Sequence, residues 1–139
     1  ATDQGMIEGR ADDTLRYRRQ LGIDVAVLAD VHVKHATPVS QPDIRLAAEE
    51  TAYRGLADAL IVSGETTGRS VDLKQLKAVK SVVPDRPILV GSGATIETVR
   101  AILDICDGVI VGTDLKCDHQ PGAPVDPKRA AAFVEASRS

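Results

Sequence analysis

Aromatic side chains are scarce in this sequence of 139 residues. They make up 2% of the chain and include no Trp, whereas apolar residues of all kinds make up 43%. The hydrophobic core must therefore consist mainly of Ala, Val, Leu and Ile. Such a composition is typical of parallel strands that are buried on both faces.

An excess of positive charge is also missing. There are 17 Lys and Arg against 20 Asp and Glu, for a formal net charge of -3, which argues against a nucleic-acid-binding surface. No apolar run approaches the length of a membrane span and no signal peptide opens the sequence, so we expect a cytoplasmic protein. Cys106 and Cys117 are too few for a disulfide framework, and their spacing is not that of a zinc site.

Short apolar runs alternate with amphipathic stretches along the whole chain. The predicted strands cover residues 24–30, 57–63, 87–90 and 108–111. The predicted helices cover residues 12–21 and 44–54 and begin at Asp72, Thr95 and Asp126. A helix followed by about four βα units predicts a parallel sheet with right-handed crossovers.

The length of the βα repeat favours a barrel. It is close to thirty residues, and a complete barrel needs about 250 residues. We therefore predict an α/β fold that is the parallel (β/α) half of a TIM barrel, with strands five to eight and flanking helices. Residues 1–139 would form the C-terminal half of one (β/α)8 barrel domain, with the N-terminal half absent from this chain. The alternative is a small doubly wound sheet, whose Gly-rich loop would more often follow the first strand.

Two glycine loops follow the last two predicted strands. The candidate phosphate-binding residues in them are Gly91, Ser92, Gly93, Gly112 and Thr113. Glycines let backbone N–H groups approach an anion closely, and the N-terminus of a following helix adds free donors. One such loop could be an ordinary tight turn, but two on consecutive strands favour a phosphate or another anion. Asp114 would oppose binding if its carboxylate pointed inward.

The loop after the predicted sixth barrel strand is polar and bounded by glycines. Its residues are Gly64, Glu65, Thr66, Thr67 and Gly68. We expect it to close over a ligand as a lid, and an ordinary solvated loop is an equally good interpretation.

The densest group of reactive side chains follows the predicted fifth barrel strand. Because strand side chains alternate, Asp30, His32 and Lys34 share one face, and Val31 and Val33 pack outward on the helices. The polar row would point into the barrel mouth, where strand ends carry catalysis. Acid–base chemistry by His32 and anion binding by Lys34 are the expected roles, and a structural ion pair is the alternative.

Two further features concern the same mouth. His32, His35 and Asp30 are metal-ligand types, but a strand turns His35 away from His32, so we expect no metal and no cofactor. Asp3, Gln4 and Glu8 lie in the opening loop, which would follow the fourth strand and reach the same mouth.

The sequence resembles the BtpA family, also called BtpA/SgcQ. The resemblance rests on residues 3–10, 29–36, 57–64, 90–93 and 108–113. Its most specific part is Asp-Val-His-Val-Lys-His-Ala at residues 30–36. The glycine loops are also shared with other phosphate-binding barrels, such as the tryptophan synthase α chain. The resemblance implies a phosphate-binding, ribulose-phosphate-binding-like TIM barrel of about twice this length.

The start of the chain bears on its completeness. It begins with Ala1 rather than Met, so we expect a fragment or a processed product of a longer protein. Residues 7–10 also spell a common engineered protease site. We favour native sequence, because these residues belong to the family resemblance.

Three functions remain open from the sequence. The first is binding of a small sugar or nucleoside phosphate, with Asp30, His32 and Lys34 acting on its distant end. The second is a non-enzymatic factor for photosystem I biogenesis or membrane-protein complex stability, since some family members are linked to photosystem I and others lie beside sugar-transport genes. The third is a non-functional remnant. Its open strand edges would favour a homo-oligomer or pairing with the missing N-terminal half.

Overall fold

The computed structural model describes residues 1–2, 5–33, 36–39, 43–64 and 71–138. Its four strands form one sheet in the order β1-β2-β3-β4, and each neighbouring pair is parallel. The strands are β1 (Leu28–Asp30), β2 (Ala59–Val62), β3 (Ile88–Val90) and β4 (Gly108–Val109). The helices are α1 (Ala11–Leu21), α2 (Ile44–Glu49), α3 (Leu73–Val82), α4 (Val99–Leu103) and α5 (Pro127–Arg138). The predicted alternation of helices and parallel strands is confirmed.

Local signals in the sequence set most helix ends. Gly22 ends α1 in the left-handed conformation, with φ 61°. Asp72 and Asp126 accept hydrogen bonds from the backbone amides of Lys74 and Lys128, both at 2.8 Å, and so cap α3 and α5.

Two predicted helices differ in detail. The predicted helix over residues 44–54 is α-helical to Glu49 and continues as a π-helical turn over Glu50–Arg54. The predicted helix at Thr95 begins as a turn, and α4 proper starts at Val99. Thr95 still organises this start, because its backbone amide donates to Oγ1 of Thr98 at 2.9 Å and its carbonyl accepts from Val99.

The strands are shorter than predicted at both edges of the sheet. The ladder between β1 and β2 begins at Leu28, so residues 24–27 lie outside the strand. At the other edge, the Ile110 amide still donates to Val90 at 2.8 Å, and the chain then enters a 3₁₀ turn at Thr113–Leu115. The central β2 is also shorter than the predicted 57–63, because it covers only Ala59–Val62.

One face of the sheet packs on the helices and forms the core. Leu60, Val62, Ile88 and Val90 are at most 2% exposed. The helices cover them with Ala47, Ala48, Leu76, Val79, Val99, Ile102 and Phe133. This aliphatic core matches the scarcity of aromatic residues in the sequence.

The opposite face of the sheet is the inner face, which would line the interior of a complete barrel. Asp30 lies level with Ile61 on it, and Leu89 lies level with Gly108. Leu28 and Ile110, on the two edge segments, are 45% and 46% exposed. Apolar side chains at the two edges of this face are thus exposed, whereas Ala59 in its centre is buried.

Two aspartates tie the amino ends of the strands together. Asp58, just before β2, accepts from the Val27 amide and from Arg18 of α1, both at 2.7 Å. Asp107, just before β4, accepts from the Ile88 amide and from Lys80 of α3, both at 2.8 Å. These contacts lower the pKa of both carboxyl groups, chiefly through the Val27 amide for Asp58 and through Lys80 for Asp107.

Candidate phosphate and ligand site

The first glycine loop begins at Gly91, where the backbone passes close to β2. The Gly91 amide donates to the carbonyl of Val62 at 2.9 Å. A Cβ atom on Gly91 would lie 2.6 Å from Cγ2 of Ile61 and 2.6 Å from Oγ of Ser63. Packing against the inner face therefore requires glycine at this position.

Beyond Gly91 the loop turns and leaves polar groups unpaired. Gly93 has φ 80°, a conformation that favours glycine. The hydroxyl oxygen of Ser92 is buried and has no hydrogen-bond partner among the described residues. The backbone amides of Ser92 and Gly93 likewise donate to no acceptor in the described part of the chain. Buried polar groups are normally satisfied, so the Ser92 hydroxyl is an exception.

The second glycine loop leaves the neighbouring strand at the same edge. The register pairs Val90 with Val109, so β3 and β4 end side by side. Gly112 and Thr113 follow, and their amides have no acceptor among the described residues. A Cβ atom on Gly112 would contact nothing within 4 Å, so space is open in front of this loop. We call these two loops, Gly91–Gly93 and Gly112–Thr113, the cradle.

Asp114 does not stand free beside the cradle. Its side chain is 9% exposed, and Oδ2 accepts from the Ile96 amide at 3.1 Å. Oδ1 lies 3.4 Å from Nη2 of Arg129 and 3.3 Å from Nδ1 of His119. Nε of Arg129 also donates to the Asp114 carbonyl at 2.7 Å. The carboxylate therefore joins the second loop to the start of the segment leading into α4, with a guanidinium beside it to offset its charge.

The sequence did not predict the Asp114 cluster, which is Asp114 with Ile96, His119 and Arg129. Its members lie up to 33 residues apart in the sequence, from Ile96 to Arg129. Neither Arg129 nor His119 carries a motif that would have marked it. His119 and Asp118 both have positive φ, at 53° and 51°. Adjacent non-glycine residues in this conformation are rare and indicate a constrained turn.

The structure describes only part of the predicted polar row. Asp30 ends β1 on the inner face and is exposed, and partial desolvation by its neighbours raises the pKa of its carboxyl group. His32 follows a bend, and its Nε2 atom is buried without a hydrogen-bond partner among the described residues. Lys34 and His35 lie outside the described residues.

The two valines of this segment differ in burial. Val31 packs in the core against the helices, as predicted. Val33 is 43% exposed, so the prediction that it packs outward on the helices is wrong. The strand ends at Asp30, and the strict alternation of a strand does not extend past the bend.

A cavity of about 310 Å³ lies where the segments after β1 and β2 meet the starts of α2 and α3. Among the described residues, its polar lining consists of His32, Thr37, Ser63 and Gln75, and the other described lining residues are apolar or glycine. Ser63 lines this cavity, and its Oγ atom also lies beside Gly91, which is not among the described lining residues.

The predicted lid and opening loop are placed in part. Gly64 is buried and lines the cavity, whereas Glu65, Thr66, Thr67 and Gly68 lie outside the described residues. The opening of the chain reaches the same edge of the sheet, because the Ala1 amino group donates to the Thr37 carbonyl at 2.7 Å. Glu8 is exposed, and Asp3 and Gln4 lie outside the described residues.

Metal ligands are not gathered in the part of the chain that the structure describes. No group of three or more His, Cys, Asp or Glu side chains is placed there to hold an ion. Likewise, within the described ranges no helix combines the length and apolar character needed to cross a membrane.

Comparison with known proteins gives a single family. The family model described as "BtpA family" matches residues 1–139. The photosystem I biogenesis protein BtpA of Synechocystis sp. is 44% identical over 136 residues, which are 98% of this chain and 47% of that protein. The putative sgc region protein SgcQ of Escherichia coli is 33% identical over 136 residues, covering 97% of this chain and 51% of that protein. The chain thus spans about half the length of the curated relatives it matches.

A solved structure identifies the fold. N-(5'-phosphoribosyl)anthranilate isomerase from Pyrococcus furiosus superposes with a TM-score of 0.60 over 92% of this chain and 57% of that one. At 17% sequence identity the likeness concerns the fold alone. The predicted parallel (β/α) half of a TIM barrel is confirmed.

Proposed function

The chain belongs to the BtpA family, and we propose that the protein it represents binds a small phosphorylated metabolite in the cradle. The observation that supports this proposal is the set of unpaired donors at one edge of the sheet. The Ser92 hydroxyl and the amides of Gly93, Gly112 and Thr113 have no acceptor among the described residues. A phosphate has several strong acceptor oxygens, so it would satisfy such a group of donors.

The proposal extends to acid–base chemistry at the same edge. Asp30 lies on the inner face, and partial desolvation raises the pKa of its carboxyl group, the direction that favours a role as proton donor or acceptor. His32 keeps an unpaired ring nitrogen at the end of the adjoining segment. Lys34 belongs to this proposed set by sequence. A phosphate held in the cradle would leave the other end of the metabolite within this part of the barrel mouth.

The remaining proposals concern the whole protein. We propose that residues 1–139 form the C-terminal half of one (β/α)8 domain, completed by a preceding half or by a second copy, and that the protein is cytoplasmic. A role in photosystem I biogenesis rests on the name of the Synechocystis relative. No contact among the described residues favours that role over metabolite binding.

Calorimetric titration of the full-length protein with inorganic phosphate and with ribose 5-phosphate tests the proposal. We expect saturable binding, and a rise in melting temperature as ligand is added. Ser92→Ala should weaken phosphate binding about three- to ten-fold, the value of roughly one hydrogen bond.

The matched control is Ser137→Ala. Its hydroxyl bonds to the Val134 carbonyl at 2.7 Å within α5 and faces no glycine loop. Phosphate affinity should not change in this variant. Absence of binding by the wild-type protein at millimolar phosphate would reject the proposed function.

A further inference from the structure

The guanidinium of Arg129 contacts both the backbone and the side chain of Asp114. Nε of Arg129 donates to the Asp114 carbonyl at 2.7 Å, and Nη2 lies 3.4 Å from Oδ1 of the same residue. Nη2 also lies 2.8 Å from Nε2 of His119. Both of these guanidinium nitrogens are therefore engaged within the Asp114 cluster.

Asp114 in turn connects the second glycine loop to the first. It follows Thr113 directly in the chain, and the Leu115 amide donates to the Gly112 carbonyl at 3.1 Å, so Asp114 and the second loop share one tight turn. At its other end, Oδ2 of Asp114 accepts from the Ile96 amide at 3.1 Å. The side chain thus spans the distance between the two loop segments.

Ile96 is held in a fixed position relative to the first loop. Only Ala94 and Thr95 separate it from Gly93. Ala94 is 5% exposed and belongs to the core, and the Thr95 amide donates to Oγ1 of Thr98 at 2.9 Å. A contact that fixes Ile96 therefore also restricts the position of Gly93.

The burial of this cluster sets it apart from the surface ion pairs. The side chains of Asp114 and Arg129 are 9% and 27% exposed, whereas those of Asp104 and Arg100 are both more than half exposed. A partly buried pair is screened less by water and salt than an exposed one. A carboxylate beside a proposed phosphate site also opposes the ligand electrostatically, so its presence there calls for a structural role.

We propose that Asp114 and Arg129 are positioning residues that hold the two glycine loops at the spacing with which the cradle binds phosphate. The inference rests on the proposed phosphate site and deepens it by naming the residues that organise that site. Neither side chain contacts the phosphate, and both act through the backbone of the loops.

Positioning and direct electrostatics predict opposite results. If Asp114 affected the phosphate only through its charge, removing the carboxylate would strengthen binding. If Arg129 were itself a phosphate ligand, a lysine in its place would keep the charge and much of the affinity. A positioning role predicts weaker binding in both cases, because lysine lacks the planar fork that contacts two acceptors at once.

The test is calorimetric titration of the full-length protein with inorganic phosphate at constant ionic strength. We expect Asp114→Ala, Arg129→Lys and Arg129→Gln each to weaken phosphate binding about three- to ten-fold. Asp114→Asn should recover part of the loss seen in Asp114→Ala, because its amide oxygen can still accept from the Ile96 amide.

The matched controls are Arg100→Gln and Asp104→Ala, which break the exposed pair at 3.1 Å on α4. Phosphate affinity should stay within about two-fold of the wild type in both. Melting curves establish that each variant is folded at the temperature of the titration. Arg129→Lys, which keeps the charge, carries the test if Asp114→Ala does not fold.

The outcomes separate the positioning role from the phosphate site. Stronger phosphate binding by Asp114→Ala, or wild-type affinity in Arg129→Lys, would overturn the positioning role and leave the phosphate site standing. Equal losses in Asp114→Asn and Asp114→Ala would overturn the part assigned to the Ile96 contact. Absence of phosphate binding by the wild-type protein would reject the phosphate site and this inference with it.

Discussion

The two ends of the sheet differ in how their polar groups are paired. At the amino edge, Asp58 and Asp107 each accept one backbone amide and one cation at 2.7–2.8 Å, although Nε of Arg86, just before β3, is buried there without a partner among the described residues. At the carboxyl edge, the same is true of polar atoms of His32 and Ser92. The same strands run through both edges, so the difference comes from the loops.

This contrast assigns stability to the amino edge of the sheet and function to the carboxyl edge. In (β/α)8 barrels the amino face contributes stability and the carboxyl face carries catalysis. Pairs such as Asp107 with Lys80 hold the strands in register. The buried, unpaired atoms of His32 and Ser92 at the other edge should destabilise the free protein and are retained, in our account, because a ligand satisfies them.

The largest expected effect comes from crowding the carboxyl edge at Gly91. Gly91→Ala places a methyl group 2.6 Å from Ile61 and Ser63, so we expect a loss of about 2–3 kcal/mol in the free energy of unfolding, measured by urea denaturation of the full-length protein. Gly112→Ala is the control, since its Cβ would meet no atom within 4 Å, and its loss should stay below about 0.5 kcal/mol. Equal losses would show that Gly91 is not under packing constraint.

A somewhat smaller loss is expected from the amino edge. Asp107→Ala removes the acceptor of the Ile88 amide and the partner of Lys80, which should lower the free energy of unfolding by about 1–2 kcal/mol because the carboxylate is half exposed. Phosphate affinity should not change. Asp104→Ala, which breaks only an exposed pair with Arg100 at 3.1 Å, should cost less than about 0.5 kcal/mol. If Asp107→Ala reduced the free energy of phosphate binding by as much as it reduced the free energy of unfolding, the amino edge would contribute to binding as well as to stability.

Removing the unpaired hydroxyl of Ser92 should raise the free energy of unfolding rather than lower it. Ser92→Ala removes a buried oxygen without a partner, so the ligand-free protein should unfold at equal or higher urea concentration, with a gain of up to about 1 kcal/mol. Ser137→Ala removes a hydroxyl that is bonded and should bring no gain. A loss of more than about 1 kcal/mol in Ser92→Ala would mean that the hydroxyl is satisfied in the free protein.

The smallest effect is in the pH dependence of stability. The pKa of Asp107 is lowered by Lys80, so its contribution is complete above the unfolded-state pKa and is lost as the pH falls through the folded-state pKa. The pKa of Asp30 is raised by burial, so its contribution is present below the unfolded-state pKa and is lost as the pH rises through the folded-state pKa.

Urea denaturation between about pH 3 and pH 7 measures both slopes. Asp107→Asn should make stability fall less steeply toward acid than in the wild type, and Asp30→Asn should raise stability at neutral pH relative to acid. Changes of slope in the same direction, relative to the wild type, in the two variants would contradict the comparison of the two edges.

The sequence predicted features that depend on local chemistry. Gly22, Asp72 and Asp126 mark helix ends because a left-handed turn or a capping carboxylate acts within a few residues. The order of strands followed from the repeat of apolar runs. The parallel half barrel was therefore accessible without coordinates.

Long-range features were not accessible in this way. The contact of Asp114 with Arg129 joins segments 15 residues apart, and the cavity is lined by segments from three parts of the chain. Gly91 was assigned to anion binding because it belongs to one of two glycine loops that follow consecutive strands, whereas its close approach to Ser63 depends on the register of two strands. The bend after Asp30 similarly broke the alternation that had placed Val33.

Backbone amide shifts in a nitrogen-15-labelled sample of the full-length protein, titrated with inorganic phosphate, test the central claim most directly. The account predicts saturable shifts centred on the amides of Ser92, Gly93, Gly112 and Thr113, with those of Val27 and Ile88 at the amino edge unchanged. Shifts centred on the amino edge, or no saturable shift in either glycine loop, would contradict it.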